Sequence, residues 1–250
     1  MSIGDAEIKT QERVIRFFKD PEILGYQYIG NLSDYQNKNI KEDRLRQYLR
    51  LKGYADKLID AAVMQLQQEA GNLSRGVYDA NKTVYSRLKY GIPVSESPEK
   101  PPVTVELIDE ANPLNNDFAI AEEVTVVEQQ EKRPDLVIYL NGIAVAVIEL
   151  KRSSISVSEG IRQNLTNQKD SFIRGFFTTM QFCMAGNESE GLRYGTIGTE
   201  EKYFLTWKED ETENTLSKLD KYLLKMCRKD RFLELLYDFV VFDAGQKKLP

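Results

Sequence analysis

The chain of 250 residues contains no histidine. This absence excludes Ser-His-Asp and Cys-His catalysis, zinc sites built on imidazole, and nucleases that use histidine as the general base. Any catalysis by this chain must therefore rest on carboxylates, lysine and hard metal ions.

Cysteine is nearly as scarce, since only Cys183 and Cys227 are present. Two cysteines without metal-binding spacing indicate neither a disulfide framework nor a thiolate metal site. No apolar run reaches the roughly 20 residues of a membrane helix, and residues 1–7 lack the regions of a signal peptide. We therefore expect a cytoplasmic protein with no membrane partner.

Positive charge is in deficit, because 34 Lys and Arg residues face 39 Asp and Glu residues and leave a net charge of −5. This balance argues against a nonspecific nucleic-acid coat, although a local basic groove remains compatible with it. The apolar content of 41% suits an ordinary globular protein with one large domain or two small ones.

The order of patterns along the chain predicts an N-terminal helical part over 1–92, followed by a sheet-containing part over 93–250. Helical periodicity covers 6–18, 43–52, 55–70 and 78–90. Strand patterns cover 103–108, 118–127, 136–140, 143–150, 175–185 and 203–207. We also predict a helix that is capped by Ser158 and runs through Phe172. Polar loops are predicted over 186–191 and 208–215, and a closing helix over 216–240. This order predicts an α/β fold, a mixed sheet flanked by helices on both faces.

The segment 133–151 carries the most chemistry. Asp135 precedes one apolar run, Asn141 and Gly142 join that run to a second, and Glu149 and Lys151 stand at its end. Two apolar runs joined by Asn-Gly indicate a β-hairpin. Without Asp135, a salt-bridged pair at a strand terminus would be the favoured interpretation of Glu149 and Lys151.

The register of this hairpin decides between the two interpretations. A plain two-residue turn places Asp135 opposite Ile148, and then Asp135 and Glu149 face opposite sides of the sheet. A three-residue loop or a bulge moves the register by one residue and brings Asp135 opposite Glu149. Strict alternation along 143–151 would place Ile143 and Val145 on the face of Glu149. A shared metal ion therefore predicts an irregular hairpin.

Given that register, the residues suit a magnesium site. Asp135, Glu149 and the backbone carbonyl of Leu150 supply hard oxygen ligands. The metal ion would polarise a phosphodiester and lower the pKa of a bound water, while Lys151 would orient that water or stabilise charge on the phosphorus.

Pro134-Asp135, followed by Glu149-Leu150-Lys151, resembles the signature of PD-(D/E)xK nucleases. The surrounding segments make the resemblance more specific: Asn-Lys-Asn-Ile-Lys-Glu-Asp (37–43), Asn-Pro-Leu-Asn-Asn-Asp-Phe (112–118), Glu-Gly-Ile-Arg-Gln-Asn (159–164) and Val-Phe-Asp-Ala-Gly (241–245). With them the chain is similar, from about Glu7 onward, to the N-terminal part of the restriction (R) subunit of type I restriction–modification enzymes.

This resemblance implies a restriction-endonuclease-like fold in which Asp135 and Glu149 hold Mg²⁺ and Lys151 is the catalytic lysine. Family members also carry a glutamine followed four residues later by a tyrosine on the next helix. Gln163 matches the glutamine, but Asn167 stands at the place of the tyrosine. Some folds of this kind add a carboxylate from an N-terminal helix, and Glu7 and Glu12 are the candidates.

The resemblance further implies double-stranded DNA as the substrate, cut without sequence reading, and methyltransferase and specificity subunits as partners. An ATP-dependent motor follows in that family. No GxxxxGK[ST] segment occurs here, so ATP is expected only in that absent part. The basic residues near the site, candidates for contact with DNA phosphates, are Arg152, Arg162, Lys169 and Arg174.

Two alternatives remain open from the sequence. One is another PD-(D/E)xK nuclease of defence or repair. The other is a noncatalytic docking module that has kept a nuclease fold.

Overall fold

The computed structural model describes residues 3–97, 99–208 and 216–249. The four predicted N-terminal helices are present as α1 (Ile3–Lys19), α2 (Glu42–Leu51), α3 (Asp56–Gly71) and α4 (Val77–Tyr90). Their apolar faces are buried, as the periodicity predicts, with Val14, Leu45, Ile59 and Val84 fully buried. The prediction of an N-terminal helical part is confirmed.

The strands are short, and several of them escaped the sequence patterns. In chain order they are β1 (Gln27–Asn31), β2 (Ile92–Val94), β3 (Val103–Val105), β4 (Phe118–Glu122), β5 (Val126–Val127), β6 (Glu131–Lys132), β7 (Leu136–Leu140), β8 (Ile143–Leu150), β9 (Phe182–Asn187), β10 (Gly191–Gly195), β11 (Leu205–Thr206), β12 (Val241–Asp243) and β13 (Gln246–Lys248).

Seven strands form one mixed sheet in the order β1-β4-β7-β8-β9-β10-β11. The β1–β4 and β8–β9 pairs are parallel, whereas the β4–β7, β7–β8, β9–β10 and β10–β11 pairs are antiparallel. Helix α5 (Val157–Asn167) makes the crossover from β8 to β9. The chain continues after the sheet as α6 (Lys218–Cys227) and α7 (Lys229–Glu234). The predicted α/β fold with a mixed sheet is confirmed.

Four predicted strands have wrong bounds. The strand expected over 103–108 ends at Val105. The strand expected over 118–127 ends at Glu122, because Glu123 adopts a left-handed backbone with φ 50°. The strand expected over 175–185 begins only at Phe182, because Arg174–Thr178 forms a 3₁₀ turn. The strand expected over 203–207 is reduced to two residues after a 3₁₀ turn at Glu201–Tyr203.

The predicted helix and loop bounds also need correction. Helix α5 is capped by Ser156, whose side chain accepts from the amide of Ser158, and it ends at Asn167 rather than at Phe172. The closing helix predicted over 216–240 is broken at Arg228, whose ψ of 135° is not helical. It ends in a π turn at 235–239. Residues 186–191 close β9 and open β10, and 209–215 of the predicted loop lie outside the described residues.

Two hydrophobic layers enclose the sheet. One, shared with α1, α3 and α6, includes Phe118, Leu136 and Ile148. The other, shared with α5 and the turn at 174–178, includes Val137 and Val147. Residues of β7 and β8 are buried throughout, which makes this hairpin the centre of the core.

Strand β1 and the bridge between Ile40 and Ile143 bring the N-terminal part into the same sheet. Both cysteines are buried free thiols. Over the described ranges, no helix combines the length and the apolar content that crossing a bilayer requires.

Candidate active site

The turn between β7 and β8 is a regular two-residue connection. Leu140 pairs with Ile143 across it. Asn141 and Gly142 have φ values of 52° and 82°, as a type I′ turn requires. The turn itself therefore does not supply the irregularity that a shared metal site needs.

A β-bulge inside the hairpin supplies it instead. Tyr139 pairs with Ala144, but Ile138 pairs with Ala146, so Val145 is an extra residue in β8. The hairpin is irregular, as expected. The prediction that a plain two-residue turn would set Asp135 and Glu149 on opposite faces is wrong, because the bulge in the strand shifts the register although the turn is regular.

The bulge also breaks the strict alternation predicted along β8. Ile143 and Val145 both lie in the layer of Leu136 and Ile148, whereas Val147 lies in the opposite layer. The prediction that Ile143 and Val145 share the face of Glu149 is therefore wrong, because the extra residue turns the rest of the strand over.

Asp135 and Glu149 consequently share one face at the open end of the hairpin. Leu136 pairs with Ile148, which places the preceding Asp135 opposite Glu149. Oδ2 of Asp135 accepts a hydrogen bond of 2.7 Å from the amide of Leu150, which fixes the first carboxylate against the second strand.

The electrostatics of this pair favour a bound cation. Glu149 is fully buried, and within residues 3–97, 99–208 and 216–249 neither of its carboxylate oxygens has a hydrogen-bond partner of regular geometry. Burial and the neighbouring charge of Asp135 raise the pKa of Glu149 well above its ordinary value. Burial also raises the pKa of Asp135 to about 6, against the opposing effects of Lys151 and the Leu150 amide. In the absence of a cation, burial and mutual repulsion favour the protonated forms of the pair.

Lys151 and α1 close the site from one side. Nζ of Lys151 lies 3.2 Å from Oε1 of Glu7. Burial lowers the pKa of Lys151, but the charges of Asp135, Glu149 and Glu7 outweigh it, so the pKa is raised. Of the two candidate carboxylates on α1, Glu7 therefore reaches the site. Glu12 is exposed, and no ion pair to it is found among the described residues.

Helix α5 covers the carboxylates from the other layer. A Cβ at Gly160 would lie 3.0 Å from Cβ of Ala185 and 3.3 Å from Cβ of Glu149, so a glycine permits this close approach. Gln163 lies one turn further along the same stripe of α5 and is half-buried. Asn167, at the place of the family's tyrosine, is buried.

The four predicted DNA-contacting residues differ in how much free charge they offer. Arg162 is paired with Glu159 and Glu201, and Arg174 is paired with Asp170. No ion pair to Arg152 or Lys169 is found within 3–97, 99–208 and 216–249. Arg152 is half-buried, and Lys169 is exposed.

Glu122, Glu123 and Gln11, which the sequence patterns did not single out, lie beside the site. The amide of Glu123 donates to the carbonyl of Asp135 at 2.8 Å, and the charge of Glu123 raises the pKa of Asp135. Gln11 on α1 donates to Glu122 and Glu123 at 3.0 Å each. Two glutamates at the end of an apolar run were a usable signal, but the strand predicted over 118–127 concealed it.

The donor set fits a hard divalent cation. A buried carboxylate without hydrogen-bond donors needs another partner, and a bound cation can be that partner. Mg²⁺ prefers one or two carboxylates, with water and phosphate oxygens completing its coordination. No group of three or more Asp, Glu or Cys side chains converges on one point anywhere in the described part of the chain. Asp135 and Glu149 are therefore the carboxylates that could hold such an ion, and the role of the Leu150 carbonyl stays a prediction.

The comparison with known families bears on this geometry. A sequence profile described as "Type I restriction enzyme R protein N terminus" matches residues 7–202. The chain belongs to this family. Its R-protein N-terminal match includes every residue of the hairpin site and all of α5.

Curated relatives of this R-protein family member are named as endonuclease subunits. The putative type I restriction enzyme MjaIXP endonuclease subunit of Methanocaldococcus jannaschii is 29% identical over 192 residues, which are 65% of this chain and 18% of that protein. The type I restriction enzyme EcoprrI endonuclease subunit of Escherichia coli is 25% identical over 58% of this chain and 48% of its own length.

A second subunit of Methanocaldococcus jannaschii, the putative MjaVIIIP endonuclease subunit, is 25% identical over 90% of this chain and 22% of its own length. The chain thus spans about a fifth of the two archaeal relatives and about half of the bacterial one.

Proposed function

We propose that this chain is a Mg²⁺-dependent endonuclease domain of PD-(D/E)xK type. It would hydrolyse phosphodiester bonds of double-stranded DNA without reading sequence, as part of the R subunit of a restriction–modification complex. The observation that best supports this proposal is the bulge at Val145, which sets Asp135 opposite Glu149 and close to Lys151.

Each residue has a distinct role in this proposal. Asp135, Glu149 and the Leu150 carbonyl would hold the metal, which when bound polarises the phosphodiester and acidifies a water. The Leu150 amide orients Asp135. Lys151, kept protonated by the surrounding carboxylates, would stabilise negative charge on the phosphoryl oxygens. Gln163 would position water or DNA from α5.

The surroundings suit a site that receives its DNA from elsewhere. Glu7, Glu122 and Glu123 add negative charge around the metal ligands, which discourages DNA from binding unaided. Arg152 and Lys169, which carry no ion pair within the described residues, would contact phosphates. Recognition of the target and movement along DNA would belong to the methyltransferase and specificity subunits and to an ATP-driven motor.

The test of this proposal uses the complete restriction–modification assembly. Asp135→Ala and Lys151→Ala should each lower DNA cleavage by at least about 1,000-fold while DNA-stimulated ATP hydrolysis persists, because the metal and the charge-stabilising group act only in the chemical step. Lys248→Ala, at an exposed lysine paired with Asp243, is the matched control and should cleave normally.

Unchanged cleavage in both variants would instead assign this domain a docking role. The 250-residue chain alone should show little or no plasmid cleavage in Mg²⁺, and strong cleavage by it would contradict the dependence on delivered DNA.

A further inference from the structure

A buried lysine far along the chain takes no part in the site described above. Lys247 on β13 is only 3% exposed. Its Nζ donates to Oδ1 of Asn81 at 2.8 Å, to the carbonyl of Met180 at 3.3 Å and to Oε1 of Gln181. All three acceptors are neutral, and burial lowers the pKa of Lys247 well below its usual value. Such a residue is costly to bury, so its position calls for a reason.

The acceptors of Lys247 are Asn81 on α4 and two residues of the segment 177–181, which leads into β9. Nδ2 of Asn81 donates to the carbonyls of Phe177, Thr178 and Met180 at 2.7–3.2 Å. The side-chain amide of Gln181 donates back to the carbonyl of Thr179 at 2.7 Å. Lys247 and Asn81 thus hold this segment by its carbonyl oxygens and by the side chain at its end.

The same segment binds the bulge that sets the register of the candidate site. The amide of Gln181 donates to the carbonyl of Val145 at 2.7 Å. Val145 is the extra residue of the bulge and therefore lacks a partner on β7. Because the bulge decides whether Asp135 faces Glu149, whatever fixes Gln181 also fixes that register.

We propose that Lys247, through Gln181 and Asn81, is a positioning residue for the carboxylate pair, and that it couples the β12–β13 hairpin to the metal site. The coupling runs from Nζ of Lys247 to Gln181, from the Gln181 amide to Val145, and from the bulge to the facing carboxylates. A lysine suits this role because its Nζ reaches acceptors on α4 and on the segment 177–181 at once. The metal part of the inference rests on the proposed function.

The chain itself, at 250 residues, is the sample for the test. Lys247→Met removes the donors but keeps the length and the apolar stem of the side chain. Lys248→Met is the control, since Lys248 is the next residue on β13 but pairs at the surface with Asp243. Two readouts are needed: the amide resonance of Leu150, whose proton is bound by Asp135, and the dissociation constant for Mn²⁺.

In Lys247→Met we expect a shifted or broadened Leu150 amide and roughly tenfold weaker Mn²⁺ binding, because only the fraction of molecules in the bulged register binds metal. Lys248→Met should match the wild type in both readouts. A folded Lys247→Met protein with an unchanged Leu150 amide and unchanged Mn²⁺ affinity would overturn the inference.

A second variant covers the case in which Lys247→Met does not fold. Gln181→Met leaves Lys247 bound to Asn81 and Met180 and should change the Leu150 amide in the same direction by a smaller amount; no change there would also overturn the inference. If the wild type binds no Mn²⁺, the proposed function fails, while the Leu150 amide still decides whether Lys247 controls the register.

Discussion

The two ends of the β7–β8 hairpin are built in opposite ways. At the turn, Asn141 is fully buried and every polar group of its side chain is used. Nδ2 donates to the carbonyl of Leu107 and to Asn116 at 2.8 Å each, and Oδ1 accepts from the amide of Asp117 at 2.7 Å. At the open end, Glu149 is equally buried, but in the part of the chain that the structure describes neither of its oxygens has a regular hydrogen-bond partner.

This difference separates a structural polar network from a ligand site. Buried polar groups in folded proteins nearly always have partners, so a satisfied group such as Asn141 serves the fold. Among the described residues no donor of regular geometry reaches the oxygens of Glu149, which is why we propose that they hold a ligand from outside. Burial that is harmless for the satisfied side chain at the turn is unfavourable for the charged carboxylate at the open end, and the proposed cation would relieve that cost.

The carboxyl groups at the two ends also have pKa values that are shifted in opposite directions. The turn network extends through Asn116 to Asp109, whose pKa is lowered to about 2 by hydrogen bonds from Asn115 and Lys52. Its stabilising effect is present at neutral pH and is lost as the pH falls towards 2. The raised pKa of Asp135 acts in the opposite direction, because its charged form is the unfavourable one.

The largest expected effect comes from removing one charge at the open end. Asp135→Asn should weaken Mn²⁺ binding at least about 100-fold, since even residues behind the ligands contribute about 10- to 100-fold. The metal-free variant should nevertheless be more stable than the wild type at pH 8. The raised pKa of Asp135 means that its charged form costs folding free energy at that pH.

The pH dependence gives this prediction its sign. Between pH 4 and 6 the folded wild type binds more protons than the unfolded chain, so its free energy of unfolding falls as the pH rises. The difference between variant and wild type should therefore open across that window and vanish below pH 4, as measured by urea unfolding. Glu159→Gln, on the exposed side of α5, is the control. If Asp135→Asn is no more stable than the wild type at pH 8, the charged carboxylate of Asp135 does not destabilise the fold.

The turn end should respond to a change in shape rather than in charge. At Gly142 φ is 82°, and an added Cβ would lie 2.6 Å from the carbonyl oxygen of Lys41 and 2.7 Å from the amide of Leu45. Gly142→Ala should therefore lower the free energy of unfolding by about 3 kcal/mol, which combines the left-handed backbone cost with a clash that only backbone movement relieves.

Gly53→Ala provides the matched control for this variant. Gly53 has a similar φ of 85°, but nothing lies within 4 Å of its added Cβ, so only the backbone cost of about 1 kcal/mol applies. If urea unfolding shows the same loss of unfolding free energy in both variants, the close contacts of Gly142 with Lys41 and Leu45 contribute nothing beyond the backbone conformation.

The contrast between the two ends also explains what the sequence predicted and what it did not. The bounds of β7 and β8 were predicted correctly because their apolar runs and the Asn-Gly turn are local signals. The bulge was not located, because β8 is buried on both faces and its apolar residues do not mark one side. Its position depends on Gln181, which is distant in sequence and comes close only in the folded chain.

Residues from α1 show the same limit. The sequence named Glu7 and Glu12 as equivalent candidates, and only packing of the helix against the sheet distinguishes them. Glu7 reaches Lys151, whereas Glu12 is exposed. The break at Arg228 was missed because it contains neither glycine nor proline, the usual signals for the end of a helix.

The smallest effect on stability, and the most selective effect on the open end, is expected at Gly160. In Gly160→Ala the added Cβ would lie 3.0 Å from Ala185 and 3.3 Å from Glu149, so α5 must move by a few tenths of an ångström. Alanine favours the helix by about 1 kcal/mol, which offsets much of the packing cost, and we expect stability to change by less than about 1 kcal/mol.

Mn²⁺ affinity should fall about threefold to tenfold, because the helix that covers Glu149 is displaced. Titration calorimetry measures that change, and Gly198→Ala, whose added Cβ has nothing within 4 Å, should leave it unaltered. If Gly160→Ala binds Mn²⁺ as the wild type does, α5 serves only the core, and the site is confined to the hairpin and α1.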